Sequence, residues 1–429
     1  MESNEKIFIQ IAAYRDPQLV PTVKDCIANA KYPENLNFCI AWQYSVDENI
    51  DEIRNLPNVH IIDIPWWESR GACWARNLIQ QNYNNERYTL QLDSHHRFIK
   101  NWDEVIIGMY KELQEKGHKK PLLTGYIPSF DPDNDPVGRE KTPWKMDFDR
   151  FIPEGAVFFL PATIENWEKL DCPVPSRFYS AHFCFTDGIF CKEVPHDPEY
   201  YFHGEEISIA ARAYTWGYDL FHPHRIVAWH EYTRKGRTKH WDDHVSSNEN
   251  KIADHQDWSK RNDRCHKRNR CLFSMDGEKY DSIEWGPFGF GPIRTLKDYE
   301  KYVGLLFSKR AVQQETLDKK YPPNTYNYNS DEEWEKSFSR IFKHCIDVGY
   351  ELVPEKDYDF WVVAFHDSND ETIHRQDLDK NEINRLFRDP DGYCKIWREF
   401  STAVNPKYWV VWPHSESKGW CDRLTGNLR

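Results

Sequence analysis

The 429-residue sequence contains no apolar run near 18 residues, so a hydrophobic transmembrane helix is excluded. Its eleven cysteines are scattered and odd in number, with no CxxC pair. That spacing fits reduced thiols in a cytosol better than a disulfide framework. No GxGxxG follows the first apolar segment, and a dinucleotide-binding turn has no support there. Excess positive charge is missing too. The formal net charge is -13, so there is no global basic footprint for nucleic acid or an anionic membrane. An anionic ligand then needs a local cationic pocket or a metal ion. No lysine-rich triphosphate motif supports a nucleotidyltransferase, and no internal repeat or low-complexity segment occurs. The opening Met1-Glu-Ser-Asn-Glu-Lys leads straight into an apolar segment. No leader peptide is expected, and the expected location is cytoplasmic.

Aromatic residues are plentiful instead, with 18 Trp, 23 Tyr and 24 Phe. Such rings stack on sugars, and they equally build a dense core. The length predicts two or three units, or one large unit with an appendage. Strands are predicted over 6–12, 37–42, 59–64 and 88–92, alternating with helices over 22–30 and 71–81. This alternation predicts an α/β fold with a mostly parallel sheet. Residues 125–160 read as a long excursion rich in Pro, Asp and Gly. Helices are expected over 205–216, ended by Gly217, and over 295–310. A linker is placed at 320–330, with its Pro-Pro and Asn/Tyr turns, and a helix over 332–345. The aromatic, β-branched segments 358–365 and 408–412 predict a small β-rich appendage. The expected division is 1–319, then a linker and helix over 320–345, then an accessory domain over 346–429.

Four constellations carry chemistry. The first is Asp93-Ser94-His95, within QLDSHHRF at 91–98. Ligands of open α/β sheets bind outside the carboxyl ends of strands. A carboxylate and an imidazole two residues apart there can share one divalent ion, and mixed O and N ligands suit Mn²⁺, without excluding Zn²⁺. Alone, the tripeptide also reads as a capped turn. The second is SRGACWARN at 69–77. Gly71 permits close backbone approach, while Arg70 and Arg76 offer cationic forks for a diphosphate or a neighbouring acid. An amphipathic helix with solvated arginines reads equally well. The third is HGEEISIAARAY at 203–214, where Glu205 and Glu206 sit in the first turn of a helix. Acids there are favoured by the macrodipole, or one of them grips sugar hydroxyls in a cleft. The fourth is VAWHEYTR at 227–234, delivering His230 beside the basic stretch 234–239. His230 is structural or a third metal ligand.

Taken together and in order, these motifs resemble the GT-A fold glycosyltransferases. The nearest likeness is to the cytoplasmic polypeptide N-acetylglucosaminyltransferases that modify hydroxyproline, and a more distant one is to the mucin-type polypeptide N-acetylgalactosaminyltransferases. IQIAAYRD at 9–16 and FGFGPIRTLKDY at 288–299, with Gly304 and Phe307, extend the likeness over roughly 5–312. The resemblance implies a GT-A, Rossmann-like fold and metal ligation by Asp93, His95 and His230. It places Arg15, Asp16, Arg70, Arg76, Asp93 and Ser94 where the nucleotide is held. Glu205, Glu206 and Asp187 fall at the sugar and acceptor cleft. His96 is expected to point away from the ion. The segment 346–429 matches neither family.

The resemblance implies a UDP-sugar donor, with UDP-GlcNAc taken from the nearer family, Mn²⁺ or another divalent cation, and a protein or glycan acceptor. A homo-oligomer is left open. Retention of anomeric configuration is implied, either through a carboxylate nucleophile, Glu205 or Asp187, or by a front-face route resting on positioning and electrostatics. The competing reading is a sugar- or peptide-binding module on a catalytically degenerate transferase fold.

Overall fold

A computed structural model describes residues 5–233 and 236–428. Met1 to Asn4 of the opening segment and Arg234 and Lys235 of the basic stretch lie outside the described residues. The chain forms two compact units: 1–310 with 315–326, and 311–314 with 327–429.

The larger unit begins β1 (Ile7–Tyr14), α1 (Leu19–Asn29), β2 (Leu36–Tyr44), α2 (Asp51–Arg54), β3 (Val59–Pro65) and α3 (Ala72–Gln80). It continues β4 (Tyr88–Asp93), β5 (His96–Phe98), α4 (Trp102–Glu115), β6 (Pro121–Thr124), β7 (Trp144–Phe151), β8 (Val157–Thr163), β9 (Val174–Pro175) and β10 (Phe183–Asp187). Then follow α5 (Phe190–Glu193), α6 (Glu205–Thr215), β11 (Asp219–His222), β12 (Ala228–His230), α7 (His240–Asp243) and α8 (Trp258–Leu272).

The central sheet has the order β3-β2-β1-β4-β10-β6-β11-β9. β1, β2, β3 and β4 are mutually parallel, while β10 runs antiparallel between β4 and β6. The apolar run IFIQIAAY of β1 is covered on both faces, as parallel strands require. Ile9, Ile11, Leu90, Leu92, Trp102 and Ile106 belong to the core on one side. Phe8, Cys39, Ala75 and Ile79 pack on the other. The mostly parallel α/β architecture predicted from the alternation is therefore present. All eleven cysteines are free thiols. No helix among the described residues is long and apolar enough to cross a membrane.

Three predicted elements differ. The excursion over 125–160 contains β7 and most of β8, which pair as an antiparallel hairpin. The helix expected over 295–310 spans only Leu296–Val303, because Gly304 at φ 66° closes it. The helix expected over 332–345 is confined to Asp331–Lys336, and Phe338–Gly349 is a strand. Its apolar residues fit both periods locally. Pairing with Tyr393–Thr402, Phe342 opposite Phe400 and Ile346 opposite Ile396, selects the extended form.

The smaller unit is β-rich. Tyr358–His366 and Tyr408–Ser415 pair antiparallel at the centre of its second sheet. Trp361, Val363, Phe365, Ile346, Ile396 and Val411 form its core.

Candidate active site

The carboxyl ends of the parallel strands meet at one edge. Ala12 of β1 is in register with Asp93 of β4, and Tyr14 with Gln43 of β2. Beyond this edge lies a cleft lined by Tyr14, Gln43, Asp93, His95 and His230, with Arg237 to Trp241 along its rim. Gly71, at the start of α3, has φ 109°, and a Cβ there would come within 2.9 Å of the Tyr201 ring. Only glycine lets that wall close so tightly.

Asp93, His95 and His230 are brought together, their ligand atoms all within 4.8 Å of one another. His230 reaches the site because β12 pairs with β5, placing it opposite His96. Its Nε2 stands 3.5 Å from Asp93 Oδ2, and His95 Nε2 stands 3.7 Å from the same oxygen. His230 is buried, yet neither of its ring nitrogens makes a hydrogen bond. Burial, with His95 and His96 nearby, depresses its pKa well below the usual imidazole range, so the ring is neutral. A neutral, unbonded imidazole is the form that ligates metal. His182 stacks on His230 with ring centroids 4.2 Å apart and fixes its plane.

His95 is held from behind. Its Nδ1 lies 2.7 Å from Asp16 Oδ2, and Ser94 Oγ donates to the same oxygen at 2.6 Å. The Nδ1 edge is engaged by Asp16 and Arg237, which leaves Nε2 as the nitrogen facing Asp93. Arg237 also touches His95 and Asp16, and pairs with Glu231 at 2.8 Å.

Arg76 lies beneath this layer and is buried. Its Nη2 donates to Asp93 Oδ1 at 2.7 Å and its Nη1 to Glu205 Oε1 at 2.5 Å. Burial opposes the charge of Asp93, but the Arg76 guanidinium holds its carboxyl well below the usual range. Burial likewise opposes ionised Glu205, and Arg76 with His196 outweighs it, bringing its pKa to about 2. Glu206 differs. Burial and the charge of Glu205 raise it to about 7, while the Ala181 N–H and the Tyr126 hydroxyl donate to it.

Of the residues expected to hold the nucleotide, Asp16, Asp93 and Ser94 line the cleft, and the arginines are engaged elsewhere. Arg76 does not face the cleft as a free cation, because two carboxylates consume it. Arg15 is turned to Asp243, at 2.8 Å. Asp16 is committed to His95 and Ser94. Arg70 is 55% exposed and lines a different cavity, near Asp254. Asp187 stands away from the cleft. β10 is antiparallel to β4, so Asp187 pairs with Tyr88 at the far end of the strand from Asp93, where it meets Arg87. His96 is buried, with Nδ1 2.9 Å from the Asp93 carbonyl oxygen, and is not among the clustered ligands.

Tyr14, Gln43, Tyr201, His182 and His240 escaped the sequence reading, while Arg237 lay within its basic stretch. Tyr14 and Gln43 were accessible to the strand-end rule, since both lie just past the end of a predicted strand. Tyr201, His182 and His240 carry no local signal.

Residues 6–55 and 47–309 match the family model described as Glycosyltransferase (GlcNAc). No curated protein sequence matches the chain. Among solved structures, GalNAc-T7 with UDP, GalNAc and Mn²⁺ is similar at 13% identity and a TM-score of 0.41. That match covers 64% of this chain and 56% of the GalNAc-T7 chain. TarS of S. aureus with UDP-GlcNAc is similar at 11% identity and a TM-score of 0.35, covering 62% of this chain and 72% of that one. The mannosyltransferase PcManGT from Pyrobaculum calidifontis, with GDP-Man and Mn²⁺, has 11% identity, a TM-score of 0.33 and coverages of 54% and 58%. The family model spans most of the chain, from the first strand of the sheet to beyond the clustered histidines, and the chain belongs to the glycosyltransferase (GlcNAc) family.

Proposed function

We propose that the chain transfers a sugar, GlcNAc, from UDP to a hydroxyl group of a protein or glycan acceptor, with a divalent cation bound and with retention of anomeric configuration. The carrying observation is the convergence of Asp93, His95 and His230 at the carboxyl edge of a parallel sheet, with both nitrogens of buried His230 unbonded. One carboxylate and two imidazoles suit Mn²⁺. Family membership supports sugar transfer, and the family's description supports GlcNAc.

Asp93, His95 and His230 would hold a divalent cation, which would supply positive charge for the diphosphate of the donor. The remaining work falls to the chain. Asp16 orients His95, and Ser94 fixes Asp16. Arg76 keeps Asp93 ionised. Lys239 lines the cleft and adds a cationic donor near the metal ligands, while Arg237 is held by Asp16 and Glu231. Glu205 is pinned by Arg76 and shielded from solvent, and Asp187 is remote. Neither is poised as a nucleophile, which supports a front-face route in which a UDP phosphate oxygen takes the acceptor proton. Catalysis then rests on positioning and electrostatics. Glu206, held near neutrality, remains the acidic group for the acceptor side.

The test is UDP release from UDP-GlcNAc with and without Mn²⁺, with Mn²⁺ binding followed by electron paramagnetic resonance. Asp93→Ala and His95→Ala are expected to abolish both while the fold persists. Full activity in either variant, or a parent indifferent to metal, sinks the metal-site reading.

A further inference from the structure

A second cavity, of about 400 Å³, lies on the outer face of α3. Trp74 and Leu78 of α3 form one wall, Arg261 and Arg264 of α8 another, and Arg70 stands at its edge. Tyr201 borders both this cavity and the cleft at the sheet edge. Its hydroxyl lies 2.9 Å from His240 Nδ1, so the partition between the two spaces is fixed.

Three guanidinium groups meet here on a chain of net charge -13. Arg261 is only 6% exposed. Its Nη2 contacts both oxygens of Asp254, and its Nε is buried without a hydrogen-bond partner. Arg264 gives one N–H to Gln256, leaving the rest of its fork uncommitted. Arg70 has its guanidinium 5.8 Å from the Trp74 ring centre and its Nε 3.9 Å from Asp254. Against three arginines stand Asp254 and Glu199, so the walls carry a net charge of 3 − 2 = +1. One carboxylate balances that charge, whereas a phosphate dianion overshoots it and faces two carboxylates. Trp74 and Leu78 offer apolar surface to the stem of a side chain, and planar guanidinium forks match a carboxylate in two-point contact.

We propose that this cavity binds an acidic side chain of the acceptor polypeptide, gripped by Arg70 and Arg264, on the far side of Tyr201 from the donor cleft. The part concerning the acceptor rests on the transferase reading above. The binding itself does not.

The experiment uses the full chain and a fluorescein-labelled hexapeptide of alternating Glu and Ser, with Gln/Ser and Lys/Ser counterparts, read by fluorescence anisotropy. The Glu peptide is expected to bind at least tenfold more tightly than the Gln peptide, and more weakly as salt is raised. The double variant R70E/R264E is expected to lose at least tenfold of that affinity. Both side chains sit at the surface, so its melting temperature and UDP affinity should match the parent's. Equal binding of the Glu and Gln peptides, or unchanged affinity in the double variant, overturns the proposal. Displacement by inorganic phosphate as effectively as by unlabelled Glu peptide overturns the carboxylate assignment, and preferential displacement by glucuronate overturns the polypeptide assignment. A parent that binds the Glu peptide but neither binds UDP nor releases it from UDP-GlcNAc defeats the transferase reading and leaves the site standing.

Discussion

Replacing Arg76 with Leu isolates the physical basis of the site. Arg76 is the cation between Asp93 and Glu205, at 2.7 and 2.5 Å, with its side chain only 5% exposed. Removing it strands buried Glu205 and leaves Asp93, 28% exposed, without its cation, and breaking a buried pair in this way costs about 3–5 kcal/mol. An independent route gives the same scale. Arg76 and His196 together lower Glu205 from its ordinary 4.5 to about 2, which corresponds to about 3 kcal/mol at roughly 1.36 kcal/mol per pH unit. The sign follows from the direction of the shift. A depressed carboxyl stabilises the fold fully above its unfolded pKa, and that stabilisation is lost as pH falls through the folded value. Urea unfolding should therefore show Arg76→Leu about 3–5 kcal/mol less stable than the parent at pH 7. The gap should narrow by about 2 kcal/mol at pH 3, because the parent is losing what the variant no longer has. A variant as stable as the parent at pH 7, or a gap constant from pH 7 to 3, refutes the reasoning.

Three further outcomes follow from the same geometry. Asp16→Ala removes the acceptor behind His95 and should weaken Mn²⁺ binding about 10–100-fold; unaltered metal affinity excludes the orienting role. Glu206→Gln should raise the melting temperature at pH 8 but not at pH 4.5, because a carboxyl raised to about 7 penalises the fold as it ionises; a shift independent of pH contradicts this. Gly71→Ala forces a side chain into φ 109° against the Tyr201 ring and should cost about 1–3 kcal/mol in urea unfolding, with a neutral result showing that the wall yields.

The sequence was legible where local pattern and tertiary environment agree. The apolar strands, the helices between them and the Asp93-Ser94-His95 end of β4 follow from periodicity and from the strand-end rule, because a strand buried on both faces must be apolar throughout. It was illegible where two periods fit one segment. Phe338–Gly349 satisfies helix and strand alike, and only its partner strand removes the ambiguity.

The amino-acid sequence by itself determined the α/β alternation, the placement of a carboxylate and an imidazole at a strand end, and a motif order like that of a glycosyltransferase family. Only the tertiary structure decided which charges are free. Arg76 and Arg70 look interchangeable in SRGACWARN, but the turn of α3 buries one between Asp93 and Glu205 and leaves the other on the outer face. The position of Asp187 was hidden for the same kind of reason. Strand direction is a property of the sheet, and the antiparallel course of β10 carries Asp187 to the edge opposite Asp93. Charge pairing and strand polarity depend on residues a hundred positions apart, and no local pattern encodes them.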